Sequence, residues 1–144
     1  MNRDLANYFF EQASNAFAFL VTEYLFKPPE FEIDEKINFA FVTFIAANLA
    51  VECILDERED NVTVKIARVI EGRKTHHYAV DEKNHWVRQD LFSLLRRRGI
   101  RDRLLSTVGL SDIRKKTPIL LQDYAQMLKK YGHEILRDSA AALD

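Results

Sequence analysis

The stretch from Ile37 to Val80, INFAFVTFIAANLAVECILDEREDNVTVKIARVIEGRKTHHYAV, decides the fold. At its start Ile37, Phe39, Phe41, Thr43 and Ile45 alternate with Asn38, Ala40, Val42 and Phe44. A period of two in β-branched and aromatic residues is the pattern of a strand. Its second face is half apolar, which places it centrally or under cover on both sides. Ala46 to Asn48 can turn the chain, and Leu49, Val51, Cys53 and Leu55 then alternate with Ala50, Glu52 and Ile54 as a second strand. The polar run from Asp56 to Asn61 is a solvated connection, and Val62 to Val69 is a third strand. Glu71 to Lys74 is a turn in which Gly72 can take a positive φ, and Thr75 to Val80 is a fourth strand. Links this short favour an antiparallel meander, because parallel pairing needs crossovers of about a dozen residues or more.

Working outward, Leu5, Phe9, Ala13, Ala16, Phe17, Leu20 and Tyr24 recur at helical spacing. Asn2 or Asp4 can cap this helix, and Pro28 and Pro29 are expected to end it. Phe10 and Phe19 lie off the main stripe, so the apolar face is broad. Phe31 and Ile33 form a brief edge strand inside the acidic segment from Glu30 to Glu35. Past Asp81 the period changes. Val87, Leu91, Leu94 and Leu95 fit a helix from about Asn84 to Arg98, with Asn84 as cap, Gly99 as terminator and Arg96, Arg97 and Arg98 at the negative end of its dipole. Thr117 and Pro118 read as the start of a long helix whose face carries Leu120 or Leu121, Tyr124, Leu128, Tyr131 and Ile135, with Gly132 weakening its middle. The face from Leu121 to Leu136 can pack on the parent sheet or on a second copy. These elements predict an α+β fold, an antiparallel β-meander of four or five strands packed against an N-terminal helix and C-terminal helices, in a single domain over residues 1–144.

Composition agrees. A chain of 144 residues that is 47% hydrophobic and holds 10 Phe can fill one core without disulfides or metal. Cys53 is the only cysteine, so no intrachain disulfide forms; it sits in an apolar strand beside Glu52, as a small core residue rather than a reactive thiol. Asp4, Glu11 and Glu23 interrupt the apolar N-terminus, which argues against a signal peptide or membrane span and for a cytoplasmic protein. The net charge of −1 conceals a division. Residues 1–60 carry 12 acidic and 4 basic side chains, a balance of −8, and residues 61–144 carry 10 and 17, a balance of +7. If the division survives folding, an acidic and a basic pole could each steer a partner.

No catalytic constellation stands out. His76 and His77 point to opposite faces of a strand, and with His85 and His133 they read as surface residues rather than metal ligands. Glu52 on a partly apolar face could act as a general acid; pairing with Lys65 or contact with water is the preferred reading. The acidic run at 56–60 lacks the spacing of a calcium loop, no serine sits in a nucleophile elbow, and the four glycines are isolated from one another. The expectation is a protein without catalytic residue, metal or cofactor. An enzyme using Glu52, His77 or Tyr78 in a pocket between sheet and helices ranks last.

The basic cluster is the strongest lead: Arg88, Arg96, Arg97, Arg98, Arg101, Arg103 and the run Arg114 to Lys116, with Trp86 and Tyr78 nearby for stacking. Arg96, Arg97, Arg98, Arg101, Arg103 and Trp86 are the expected binding residues. The function expected is a non-enzymatic domain that docks a protein partner through a charged surface. The alternative is a nucleic-acid-associated domain that holds phosphates through segment 96–116. A homo-oligomer is also compatible with the pattern.

The segment Phe19-Leu20-Val21-Thr22-Glu23-Tyr24-Leu25-Phe26, with Leu55-Asp56-Glu57-Arg58 before Val62-Thr63-Val64, resembles a group of small uncharacterised bacterial proteins. In these a helix ending Phe-Leu-x-x-Glu-Tyr-Gly-Phe precedes an antiparallel sheet. The resemblance covers roughly the first half of the chain and departs at Leu25, where that pattern has glycine. It implies that Tyr24 and Phe26 pack the helix end on the sheet. By architecture it points loosely toward immunity proteins that neutralise bacterial toxins.

Overall fold

The computed structural model describes residues 1–70, 73–74, 87–101 and 110–137, with only the backbone described at 73–74. Helix α1, Arg3–Ala16, opens at Asn2, whose side chain accepts the Leu5 amide at 3.1 Å. The single N-terminal helix expected from the spacing is broken at Phe17 and resumes as α2, Ala18–Tyr24. On one straight helix residues 17 and 19 would lie about 200° apart. The break allows both rings into the core, Phe17 at 6.0 Å from Phe19 and 6.2 Å from Phe44. The exit comes earlier than the prolines: Leu25 turns left-handed at φ 61°, and the Phe26 amide reaches back to the Leu20 carbonyl at 3.0 Å. Phe26 is buried, and the Tyr24 ring lies edge-on to Phe19 at 6.3 Å.

The sheet is the predicted meander. Strands β1 (Glu30–Asp34), β2 (Phe39–Ile45), β3 (Leu49–Asp56), β4 (Asn61–Ile70) and β5 (Arg73–Lys74) pair antiparallel in chain order. The strand expected over Thr75 to Val80 lies outside the described residues. A sixth strand, β6 (Arg88–Asp90), pairs with the outer edge of β4. These residues were expected inside a helix starting at Asn84. They are extended because β4 otherwise presents unpaired groups there: the Arg68 amide donates to the Val87 carbonyl at 2.8 Å, continuing the ladder. Helix α3, Leu91–Arg97, starts only after Asp90, whose carboxylate caps the Ser93 amide at 3.0 Å.

Helix α4, Ile113–Tyr131, also departs from its expected start at Thr117. Asp112 caps it, accepting the Arg114 amide at 2.9 Å, so Thr117 and Pro118 fall inside. The buried Thr117 hydroxyl donates to the Ile113 carbonyl at 2.7 Å. Pro118 has no amide for the Arg114 carbonyl, and the Tyr8 hydroxyl on α1 donates to that carbonyl instead, at 3.2 Å. Gly132 closes α4 rather than weakening its middle, and α5, His133–Arg137, follows. A Cβ on Gly132 would come within 2.4 Å of the Leu128 carbonyl oxygen.

The helices cover one face of the sheet. Val42, Phe44, Val51, Cys53, Val64 and Ile66 meet Phe9, Phe17, Leu20, Leu94, Leu121 and Leu128 in one core. The face of α4 and α5 that carries Leu121, Tyr124, Leu128 and Ile135 is consumed by this core. Burial, and then the charge of Glu52, pushes the Cys53 thiol upward. Burial likewise raises the Tyr124 phenol, with Asp90 and Asp123 adding to it.

Candidate functional site

On the sheet face turned away from the helices, one register row reads Thr43, Glu52, Lys65 and Asp90 across β2, β3, β4 and β6. Glu52 is only 1% exposed, and its ion pair is with Arg88 rather than with its register partner Lys65. Arg88 reaches it from β6 across Ala67, a small fully buried residue. Neither expected environment, Lys65 or water, is found: Glu52 is buried and pairs with Arg88, one of the basic-cluster residues. A buried ion pair of this kind ties β6 to β3, since removing either partner strands a charge. Glu52 also stands on the sheet face away from the helices, not in the space between sheet and helices that an enzyme pocket would use; His77 and Tyr78 lie outside the described residues.

Three of the arginines expected to bind a partner, Arg96, Arg97 and Arg101, bond to the chain around α3. Arg96 lies over the Phe92 ring at 4.4 Å and donates to the Ile100 carbonyl at 3.2 Å. Arg101 donates to the Arg96 carbonyl at 2.8 Å, and Arg97 Nε to Gln89 Oε1 at 3.0 Å. The Arg96 carbonyl, which also accepts the Gly99 amide, lies in the last turn of α3, where the helix dipole favours cations. Arg98 is exposed on the same turn. Arg103 and Trp86 lie outside the described residues. In the second basic run Arg114 stands over the Tyr8 ring at 5.5 Å, and the Lys116 ammonium donates to the Asp60 carbonyl at 3.4 Å. The basic half of the sequence therefore mixes with the acidic half beside the β3–β4 turn.

A different surface is more open. Strand β1 ends the sheet, and among the described residues no strand pairs with its outer side. Its side chains alternate: Glu30, Glu32 and Asp34 share one face, and Phe31 and Ile33 the other. Phe31 is 53% exposed and stacks on Phe10 of α1 at 4.8 Å with planes 20° apart. An open groove of about 740 Å³ runs beside this edge, lined by Arg3, Phe10 and residues 31–36. Arg3 pairs with Glu35 at 2.9 Å at one end. Among the described residues Glu30, Glu32 and Asp34 have no ion-pair partner.

The backbone there is legible too. The Ala46 amide donates to the Leu49 carbonyl and the Glu57 amide to the Asn38 carbonyl, so even-numbered β2 residues bond toward β3. Odd-numbered Phe39, Phe41 and Thr43 then bond toward β1, to their register partners Asp34, Glu32 and Glu30. The Lys27 amide on the Ile45 carbonyl, at 2.9 Å, fits the same alternation. Phe31 and Ile33 consequently turn both N–H and C=O outward. The brief edge strand and its acidity are legible in the sequence, but the meeting of Phe31 with Phe10, a residue off the main helical stripe, is not.

His133 Nδ1 lies 3.3 Å from the Tyr24 hydroxyl; His76, His77 and His85 are outside the described residues. Among the described residues no three His, Cys, Asp or Glu side chains are grouped to hold a metal ion, and no helix is long and apolar enough to cross a membrane. The fold and this edge define an α+β domain with an acidic, partly aromatic sheet border. No known protein family, curated protein or solved structure matches the chain.

Proposed function

We propose that this is a non-catalytic protein-binding domain whose docking surface is the acidic border formed by β1 and α1. The observation that carries the reading is Phe31, a large ring left 53% exposed on Phe10 in an open groove, with the carboxylates of Glu30, Glu32 and Asp34 on the same strand. Exposed aromatic surface beside a row of carboxylates, with Arg3, already paired to Glu35, and Lys36 as the opposing charges at the groove, is suited to a basic protein: the ring supplies buried area and the carboxylates steer encounter and select register. The partner would accordingly be basic. Neutralising a toxin, the role suggested by the resemblance around Phe19 to Phe26, is one instance of this class and not required by it. The arginines of α3 support the nucleic-acid alternative less well, because Arg96 and Arg101 donate to backbone carbonyls of their own turn.

The test is recovery of a partner from the native host at low salt, with two variants as bait. Glu30→Lys/Glu32→Lys should abolish recovery, and Arg97→Ala/Arg98→Ala/Arg101→Ala should leave it intact. Loss of the partner only in the arginine variant, or recovery of nothing but the bait, would overturn the reading.

A further inference from the structure

We infer that the outer edge of β1 takes an added strand from its partner, an extended segment in which basic and apolar side chains alternate. The inference rests on the docking surface just proposed and adds how that surface is read. Three observations converge on it. The first is the backbone: Phe31 and Ile33 direct amide and carbonyl groups away from β2, and among the described residues nothing bonds to them. An edge in this state is a template for another strand.

The second is the space. The groove of about 740 Å³ lies along residues 31–36, bounded on the helix side by Phe10. In an added strand every second side chain would fall on the face that carries Phe31 and Ile33, where an apolar residue could cover the half-exposed ring.

The third is charge. The intervening side chains of the added strand would stand beside Glu30, Glu32 and Asp34, so lysine or arginine is favoured there. The same geometry disfavours a second copy of this chain. Antiparallel pairing of two β1 strands about Glu32 would set Glu32 against Glu32 and Glu30 against Asp34, and like charges directly opposite are destabilising. The carboxylates thus disfavour self-pairing and favour a basic guest by the same interaction.

The test uses the whole chain and short capped peptides that alternate lysine with valine, glutamate with valine, and lysine with serine. Amide hydrogen exchange is followed by NMR. The lysine–valine peptide should slow exchange at Phe31 and Ile33 by about tenfold or more and leave Glu30, Glu32 and Asp34, already bonded to β2, unchanged. The other two peptides should give no such pattern. Ile33→Pro removes an outward amide without removing a ladder bond, and it should weaken binding by about tenfold, whereas Ile33→Val should not.

Protection spread evenly along β1, protection elsewhere, or none with any peptide would overturn strand addition. So would the same alternating protection in peptide-free samples at rising protein concentration, which would make the guest a second copy. The two levels separate cleanly. If Glu30→Lys/Glu32→Lys abolishes partner recovery while no alternation is seen, docking at this border stands and strand addition falls. If recovery survives charge reversal, both fall.

Discussion

At the scale of single residues, Leu25 shows the cost of a side chain where the backbone wants none. Its φ of 61° is left-handed, and the side chain is 87% exposed, so packing returns nothing for the strain. The conformation costs an L-residue roughly 1–2 kcal/mol, and glycine in its place gives up roughly 0.5–1 kcal/mol through a freer unfolded chain. Leu25→Gly should therefore raise stability by roughly 0.5–1 kcal/mol in urea unfolding, and Leu25→Val should lower it. A loss of stability in the glycine variant would show that Leu25 makes an apolar contact in solution that its exposure conceals.

Among elements, α1 and α4 are joined by a bond that exists because of a proline. Pro118 deprives the Arg114 carbonyl of its intrahelical donor, and Tyr8 supplies one from the neighbouring helix. Tyr8→Phe should cost about 1 kcal/mol in the native background. In a Pro118→Ala background the helix regains its own donor, and the same change should cost close to nothing. Equal costs in both backgrounds would separate Tyr8 from the proline. The elements the sequence made legible are those whose pattern depends on one partner surface. The alternation in β2, β3 and β4 reports the helix-covered face directly, and the strands appear where expected. The starts of α3 and α4 were not legible for the opposite reason. Val87 fits a helical stripe by spacing yet serves the β4 ladder, and Thr117–Pro118 looks like a helix start unless a distant tyrosine satisfies the carbonyl behind it. The candidate site was legible in its parts, acidic β1 and off-stripe Phe10, but their stacking depends on how α1 lies over the sheet.

For the whole molecule, the charge division in sequence is only partly a division in space, since Lys116 reaches the Asp60 carbonyl and Arg88 is drawn into the sheet by Glu52. What the fold does impose globally is a core that holds protons. Burial first, and the Glu52 charge second, raise the Cys53 thiol; burial, with Asp90 and Asp123, raises the Tyr124 phenol. An ordinary thiol titrates near about 8.5 and a phenol near about 10. Above the first of these the unfolded chain has released the Cys53 proton while the folded chain retains it. The unfolded state then binds fewer protons, and stability must fall as pH rises; below about 8.5 the full contribution is present. By about pH 10.5 the loss from Cys53 alone should reach about 2–3 kcal/mol, with Tyr124 adding less because its unfolded reference lies higher. Urea midpoints measured from neutral pH upward should trace this decline, and Cys53→Ala, somewhat less stable at neutral pH from lost packing, should show a flatter one. Parallel curves for the two proteins would mean that the thiol reaches water well before the fold gives way, and that the sheet opens at Cys53 on its own.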